Sequence, residues 1–481
     1  MPTDWLPCPG KMIARIKSPF VYAVSARTKP TSARCQGSGG IVMEAQREKQ
    51  LMGVWMTSAL VVGTMIGAGI VMLPVSLAPL GPNAPIGWLV SSIGALCIAF
   101  ALARLTRGGG AGIQAHIESA FGPTVGFLVA WAFWCSNWAS QAALAIAGAS
   151  ALSRVVPALA TPDAVVMVAV ASVAFLTAVN AMGARASGGM SILTVAIKLL
   201  PLLAVIAILG LRGASVVPFE PLAPTPVTIA GIATAVALTL FALTGFENAT
   251  TPVDKVRNPE RTLPLAILGG TLFVALIYLL SSTGVTLLLS ADTVASSPAP
   301  YADAVAALWG EGAATLAALA IAVSAFGALN GLIFGTGELG YAMASRREMP
   351  AFMARTRGAN TPVAAQAVGS ILTILLVLAN SSRDTAGLFV FVILLSTASV
   401  LIVYLAGVLA AWKVSSTGGA HLALAVALLF IMFAFYGTGT EANLWGLVLL
   451  AIGFVVMRSM RAINSRATTP EAAPAPAAPR E

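Results

Sequence analysis

From about residue 51 onward, apolar runs of bilayer length alternate with short polar breaks. Twelve such runs can be marked, at roughly 53–80, 86–103, 123–154, 162–181, 187–211, 227–250, 263–289, 312–343, 362–380, 385–410, 420–438 and 441–457. Each reaches the roughly 17–25 residues that a helix needs to cross a hydrocarbon core. The third and eighth are long enough to tilt or to extend beyond it. The pattern predicts an all-α membrane protein with twelve transmembrane helices in one domain over 51–457. Residues 1–50 are polar, basic and without pattern, and read as a disordered cytoplasmic tail; FVYAV at 20–24 is too short for a signal sequence. Residues 458–481, rich in Ala and Pro after Arg466, read as a second disordered cytoplasmic tail. Met43 is an alternative start that would leave the first 42 residues outside the protein.

Two runs carry breaks in their middle. The first holds VVGTMIGAGIVMLP at 61–74, apolar except for Thr64, with Gly63, Gly67 and Gly69 near its centre. Glycines weaken a helix and uncover its backbone. In a bilayer that exposure is tolerated against protein or a wet cavity. Two readings stay open: a broken helix whose freed backbone groups hold a substrate's charged ends, or close helix packing through small residues. The sixth run, TLFALTGFENAT at 239–250, repeats the logic, with Phe241 one turn before Gly245 and Glu247 just beyond. An ionisable residue in a spanning segment is a functional candidate. Glu247 suits proton exchange, or else serves as a structural carboxylate at a helix start.

Other polar side chains interrupt the apolar runs. Lys198 sits in VAIKLLPLL of the fifth, too far from either end to snorkel easily. It requires water, a partner or an ion site. In the third run Trp131, Trp134, Trp138 and Gln141 follow helical spacing and can share a face. That face is either a pocket for an amphipathic solute or interfacial belt and packing. Glu338, near the end of the eighth run, reads as a structural partner for nearby basic residues.

Composition agrees with the periodicity. The 481 residues are 58% hydrophobic and 9% charged, where a soluble domain carries about 25% charged residues. The net charge of +9 does not point to nucleic acid, because it falls in short loops and at the ends. Outside the N-terminal tail, one side of the twelve-run alternation carries 15 Lys and Arg and the other only Arg154, Arg212 and Arg383. The positive side is cytoplasmic, which places both termini inside. The four cysteines have no metal or disulfide spacing. No nucleophile–base pair, metal cluster or phosphate loop is present, so neither an enzyme nor a bound cofactor or metal is expected. A channel or a non-transporting receptor is the alternative, although no repeated filter element and no large external loop is visible.

The chain resembles the amino acid–polyamine–organocation superfamily of secondary transporters. The likeness runs over about 51–457 and rests on GTMIGAGIVMLP at 63–74, GWLVSSIGAL at 87–96 and AFGPTVGFLVAWAFW at 120–134. GFENAT at 245–250, RNPERTLPLAI at 257–267 and NTPVAA at 360–365 extend it. Within the superfamily it is strongest to the bacterial arginine–agmatine antiporter and the basic-amino-acid antiporter and permease group. The resemblance implies a five-plus-five inverted repeat with discontinuous helices 1 and 6, followed by two extra helices. It implies an amino acid or polyamine substrate, a bacterial inner-membrane location and a homodimer as one possible assembly. It also implies that Gly67, Ala68 and Gly69 approach a substrate carboxylate, with Ile66 beside them. Phe241 takes the place of an aromatic gate, Gln141 that of an asparagine, and Glu247 that of a glutamate linked to protonation. Trp138, Gly245 and Leu332 complete the candidate substrate-binding set.

Two positions depart from the antiporter. Ala68 lacks the hydroxyl of a glycine–serine–glycine turn. Leu332 stands where a tryptophan packs on the guanidinium stem, and an apolar side chain offers no cation–π surface; both changes argue against arginine and agmatine. Lys198 resembles a lysine of proton-dependent permeases in the superfamily, whose ammonium takes the place of a sodium ion. That favours proton coupling or exchange, independent of sodium.

Overall fold

A computed structural model describes residues 52–67, 69–106, 113–182, 191–213, 219–247, 256–357, 361–415 and 418–467. The expectations for 1–50, Ala68 and the chain beyond 467 lie outside the described residues. Among the described residues the elements are helices, with two isolated bridges, Met52 to Val256 and Arg357 to Thr361. In chain order they are α1 (Val54–Met65), α2 (Gly69–Leu77), α3 (Asn83–Thr106), α4 (Ile113–Phe121), α5 (Pro123–Val155), α6 (Pro162–Ala181) and α7 (Ser191–Gly213). Then follow α8 (Ile229–Leu243), α9 (Pro259–Leu288), α10 (Ala291–Ser296), α11 (Pro300–Ser345), α12 (Val363–Ala379), α13 (Thr385–Val414) and α14 (Gly418–Ala467).

Local sequence explains where these helices start and break. Proline opens α5, α6, α9 and α11, where its missing N–H costs nothing. Thr161 and Thr228 cap α6 and α8 by accepting the Ala164 and Gly231 amides. α11 breaks at Gly310 (φ 80°) and α14 at Gly439 (φ 78°), a backbone region that only glycine enters cheaply. Among the described residues six helices are long and apolar enough to cross a membrane, or seven when α1 and α2 are taken as one bent span. The last apolar run ends at 457, yet α14 continues to Ala467. Residues 458–467 are thus helix rather than disordered tail. Arg461, which donates to the Thr124 hydroxyl, and Asn464, which donates to the Arg347 carbonyl, help hold the extension.

Pairing between distant helices builds the core. α5 packs along α11 and α13, while α3 packs along α8 and α9. α6 lies on α12, and α2 on α8. Gly87 lets α3 close directly onto Ala235 of α8, and Gly407 lets α13 close onto Leu102 of α3. With no water to expel between helices in a bilayer, such close fit carries association. Polar pairs add to it: Ser91 with Thr239 (2.6 Å), the Trp88 indole with Ser282 (3.1 Å), and the Asn180 amide with Asn330 (2.7 Å). At about 0.6 kcal/mol each in membranes, these bonds fix register more than they supply stability.

The two halves of the bent span are packed differently. α2 touches α5, α8, α9, α10, α11 and α13, whereas α1 rests mainly on α9 and α7. At the α2 end, the short α10 lies against α2. The half-exposed or exposed residues of α1, Gly63 and Thr64 among them, lead up to the break.

Candidate functional site

The site grows from the backbone of the first break. α1 stops at Met65, and Ile66 is extended (φ −75°, ψ 90°). α2 starts at Gly69, at 47° to α1. A helix that stops leaves carbonyls without intrahelical partners and a partial negative charge. Here the Gly63 and Met65 carbonyls find donors from beyond the helix. The Ile66 amide donates to the Val62 carbonyl (2.9 Å). Lys198 of α7, only 7% exposed, donates through Nζ to the Gly63 carbonyl (3.2 Å). The Met65 carbonyl accepts both the Gly67 amide (2.9 Å) and the Tyr278 hydroxyl of α9 (3.0 Å). A buried cation and a phenol therefore cap the C-terminal end of α1.

The second break lies against the first. α8 ends at Leu243, Thr244 turns extended, and Gly245 has φ 115°. Its amide donates to both carboxylate oxygens of Glu247 (3.1 and 3.0 Å), and the Tyr404 hydroxyl of α13 donates to the same carboxylate (2.9 Å). Phe246 stacks on the Tyr404 ring, with centroids 5.5 Å apart. Thr64 donates its hydroxyl to the Gly245 carbonyl (3.0 Å), with the Leu60 and Val61 carbonyls of its own helix at similar range. A Cβ at 245 would lie 2.7 Å from the Thr64 carbonyl oxygen. The two broken backbones are in direct contact, and glycine makes that contact possible.

Side chains cover this junction. A Cβ at Gly69 would lie 2.7 Å from Cε1 of Phe241, so the Phe241 ring rests on the start of α2. Leu144 of α5 reaches Gly67, its Cδ2 3.5 Å from a Cβ at that position. Ile66 is buried in the same cluster as Phe241 and Leu144, and Leu332 packs against that cluster half-buried.

Ile66, Gly67, Gly69, Phe241, Gly245, Glu247 and Lys198 thus surround the paired breaks. Trp138 and Gln141 sit elsewhere. The Gln141 amide donates to Thr336 of α11 (2.8 Å), and its oxygen accepts from Thr373 of α12 (3.1 Å). Trp138 belongs to a separate cluster with Trp131, Trp134, Met343 and Met353. The aromatic face of α5 therefore packs against neighbouring helices, and Trp131 bonds the Leu449 carbonyl of α14 (2.8 Å). Among the described residues Glu338 does not pair with the basic residues beyond α11, and Arg346 instead meets Glu118 of α4 and Glu348.

Four site residues escaped the sequence reading. Leu144 follows Gln141 by three positions and was reachable by helical spacing. Thr64, Tyr278 and Tyr404 carried only a weak signal, that a hydroxyl in an apolar run needs a partner.

Comparison with known proteins decides the family. Residues 52–466 match the amino acid permease family over most of the chain. The chain belongs to that family. The permease is 27% identical over 427 residues to the putrescine transporter PotE of Haemophilus influenzae, covering 86% of this chain and 97% of that protein. It is 26% identical over 434 residues to the putrescine transporter PotE of Escherichia coli K12, covering 86% and 96%. It is 28% identical over 306 residues to the cadaverine/lysine antiporter of Escherichia coli K12, covering 62% and 68%. The permease is therefore a multi-pass membrane transport protein and not an enzyme. Chemically, its junction offers backbone dipoles from two helix ends, an aromatic cover, a buried carboxylate and a buried ammonium. That set can bind and release a small charged solute without changing its covalent bonds.

Proposed function

We propose that the permease carries an amino acid or related amine across a bacterial inner membrane by alternating access, through exchange or proton coupling and without sodium. The contact between the two broken helices carries this reading. Their freed amides and carbonyls form a polar centre inside an apolar protein, the arrangement that suits a solute bound near the bilayer midplane. Glu247 is the proton-coupling group and Lys198 the resident cation. Ile66, Gly67, Ala68, Gly69, Phe241, Gly245 and Leu332 line the solute, and Gln141 braces Leu332 through its backbone carbonyl (3.4 Å). The names of the relatives favour amines and cationic amino acids over neutral ones.

The finer architecture belongs to the same proposal. Twelve spans result when α1 with α2 count as one, α14 is divided at Gly439, and the shorter α8 and α12 are counted with α3, α5, α6, α7, α9, α11 and α13. Five-plus-five repeats then pair the first span with the sixth, the second with the seventh, the third with the eighth and the fourth with the ninth. Each of those pairs is in contact, as α2–α8, α3–α9, α5–α11 and α6–α12. The short α4 and α10 occupy matched places, before the third and eighth spans. The transport domain covers 51–457, with tails on either side, and a homodimer is compatible with the exposed apolar residues of α14.

Two measurements test the reading. Purified protein in liposomes should take up or exchange putrescine, cadaverine or lysine at a rate unchanged when sodium is replaced by choline. Flux that requires sodium, or no flux of any amine or amino acid, would sink it; passive flux without saturation would indicate a channel. For orientation, single cysteines at Thr293 and Ser465, in protein cleared of its own four, should label from outside and inside respectively. The 15-to-3 loop bias demands that result, and the opposite pattern overturns it.

A further inference from the structure

The extension of α14 closes a cavity that shares no lining residue with the paired breaks. The cavity holds about 210 Å³ and lies between the start of α5, the end of α11 and residues 457–464 of α14. Its floor is apolar. Phe127, stacked on Trp131 with centroids 6.2 Å apart, and Met457 are buried, and Met460 is half-buried. Its rim is basic: Arg346, Arg347 and Arg461 face Glu348, the one carboxylate among the described lining residues.

Local structure fixes these groups. Arg461 is held by the Thr124 hydroxyl at the head of α5 (3.1 Å). Asn464 holds the carbonyl of Arg347 (2.9 Å), whose backbone turns back with φ 60°, a region that most residues avoid. Arg346 ties the same turn to Glu118 of α4. The level of the cavity in the membrane follows from α14. Phe454 and Val455 are exposed and apolar, as a lipid-facing surface should be. One turn later the Arg458 guanidinium lies 5.5 Å from the Phe454 ring centre, and Arg461 follows. Long basic side chains whose stems cover apolar surface mark the boundary between hydrocarbon and headgroups. α4, buried through Ile113 and Ile117, lies along α5 at the same end.

We propose that this cavity binds the headgroup of an anionic phospholipid, whose phosphodiester meets Arg347 and Arg461 while its glycerol root rests on Phe127, Met457 and Met460. The site is independent of which solute the permease carries. Charge selects the class of ligand: three guanidiniums against one carboxylate favour an anion, and the guanidinium fork matches phosphate oxygens. Position and floor select the source. Basic pockets between spanning helices at a membrane face suit lipid headgroups, and a free phosphate gains nothing from a floor of methionine and phenylalanine. The volume is below the roughly 300–1,000 Å³ that encloses a whole small molecule, so it suits a headgroup whose acyl chains stay in the bilayer. A bound lipid joins α5, α11 and α14, which come from distant parts of the chain, and so stabilises the folded bundle.

Thermal unfolding of the purified, delipidated full-length protein in neutral detergent tests the site with short-chain phosphatidylglycerol, short-chain phosphatidylcholine and inorganic phosphate. Phosphatidylglycerol should raise the melting temperature by a few degrees and saturate, while phosphatidylcholine and phosphate should leave it unchanged. Arg347→Gln combined with Arg461→Gln should weaken phosphatidylglycerol roughly tenfold or more, the loss of charge-assisted hydrogen bonds. Arg458→Gln removes a neighbouring charge that does not line the cavity and should keep the shift. Met460→Trp fills the cavity without touching a charge and should also remove the shift, which covers the case in which the double variant does not fold. A shift that survives in the double variant or in Met460→Trp overturns the site. Equal shifts with both lipids, or an equal loss in Arg458→Gln, overturn it in favour of unspecific lipid or charge effects. A shift with phosphate alone assigns the cavity to a soluble anion and overturns the lipid, and no shift with any probe overturns the proposal outright.

Discussion

Lys198→Met is expected to abolish accumulation of substrate while leaving the protein folded and inserted. The ammonium is held 3.2 Å from the Gly63 carbonyl, where α1 runs out and its dipole leaves negative charge. Methionine keeps the apolar stem and removes the charge and its three donors. The loss of a hydrogen bond to a charged group is worth about 1.5–3 kcal/mol, or roughly 10- to 100-fold in the population of the state that needs it. The state at risk is the one in which α1 is held against α7 at the break. Lys198→Arg should rescue poorly, because a planar fork does not replace a compact ammonium. Uptake into liposomes against external pH, with sodium present and then absent, reads out the effect. Normal pH-dependent uptake by a monodisperse Lys198→Met protein would show that the charge takes no part in coupling. Rescue of that variant by sodium would instead show that a free cation can occupy the vacated position, which supports the surrogate role.

Gly245→Val is expected to eliminate substrate binding and to lower thermal stability. Two costs add. A β-branched residue at φ 115° is strained by about 1–3 kcal/mol. Its Cβ would also meet the Thr64 carbonyl oxygen at 2.7 Å and the Met65 Cα at 3.1 Å. Both are backbone atoms and cannot rotate aside, so the two breaks must separate. The Gly245 amide would then be drawn off the Glu247 carboxylate that it bonds from both sides. Gly439→Val is the matched control, with a similar positive φ of 78° and nothing within 4 Å of its Cβ. It carries the strain without the collision. If both variants bind substrate equally well, contact between the breaks is not needed for the site. Binding lost in Gly245→Val alone assigns the loss to that contact.

The membrane class, the helical content and the positions of both breaks were legible in the sequence, for a common reason. Each is a local consequence of residue type. Long apolar runs must be helical where there is no water to satisfy a backbone, and glycines at 67, 69 and 245 mark where that helix can open. Lys198 and Glu247 were also conspicuous, because charge in an apolar run is rare and demands a partner.

The identity of each partner was not legible. Nothing near position 198 specifies that its ammonium reaches Gly63, 135 residues earlier. Nothing near 247 specifies Tyr404, 157 residues later. The face of Trp131, Trp134, Trp138 and Gln141 was correctly spaced along one helix, yet helical spacing says only which residues travel together and not what they meet. Packing against α11, α12 and α14 turned that face into a helix contact. The same limit applies to Glu338: arginines close in sequence promised a pair, but the fold sent Arg346 to Glu118, 228 residues away. Sequence by itself determined which groups cannot rest in hydrocarbon unpaired, since that follows from solvation of a single residue. Only the tertiary structure decided which of them satisfy one another and which face open space, because that depends on helices brought together from opposite ends of the chain.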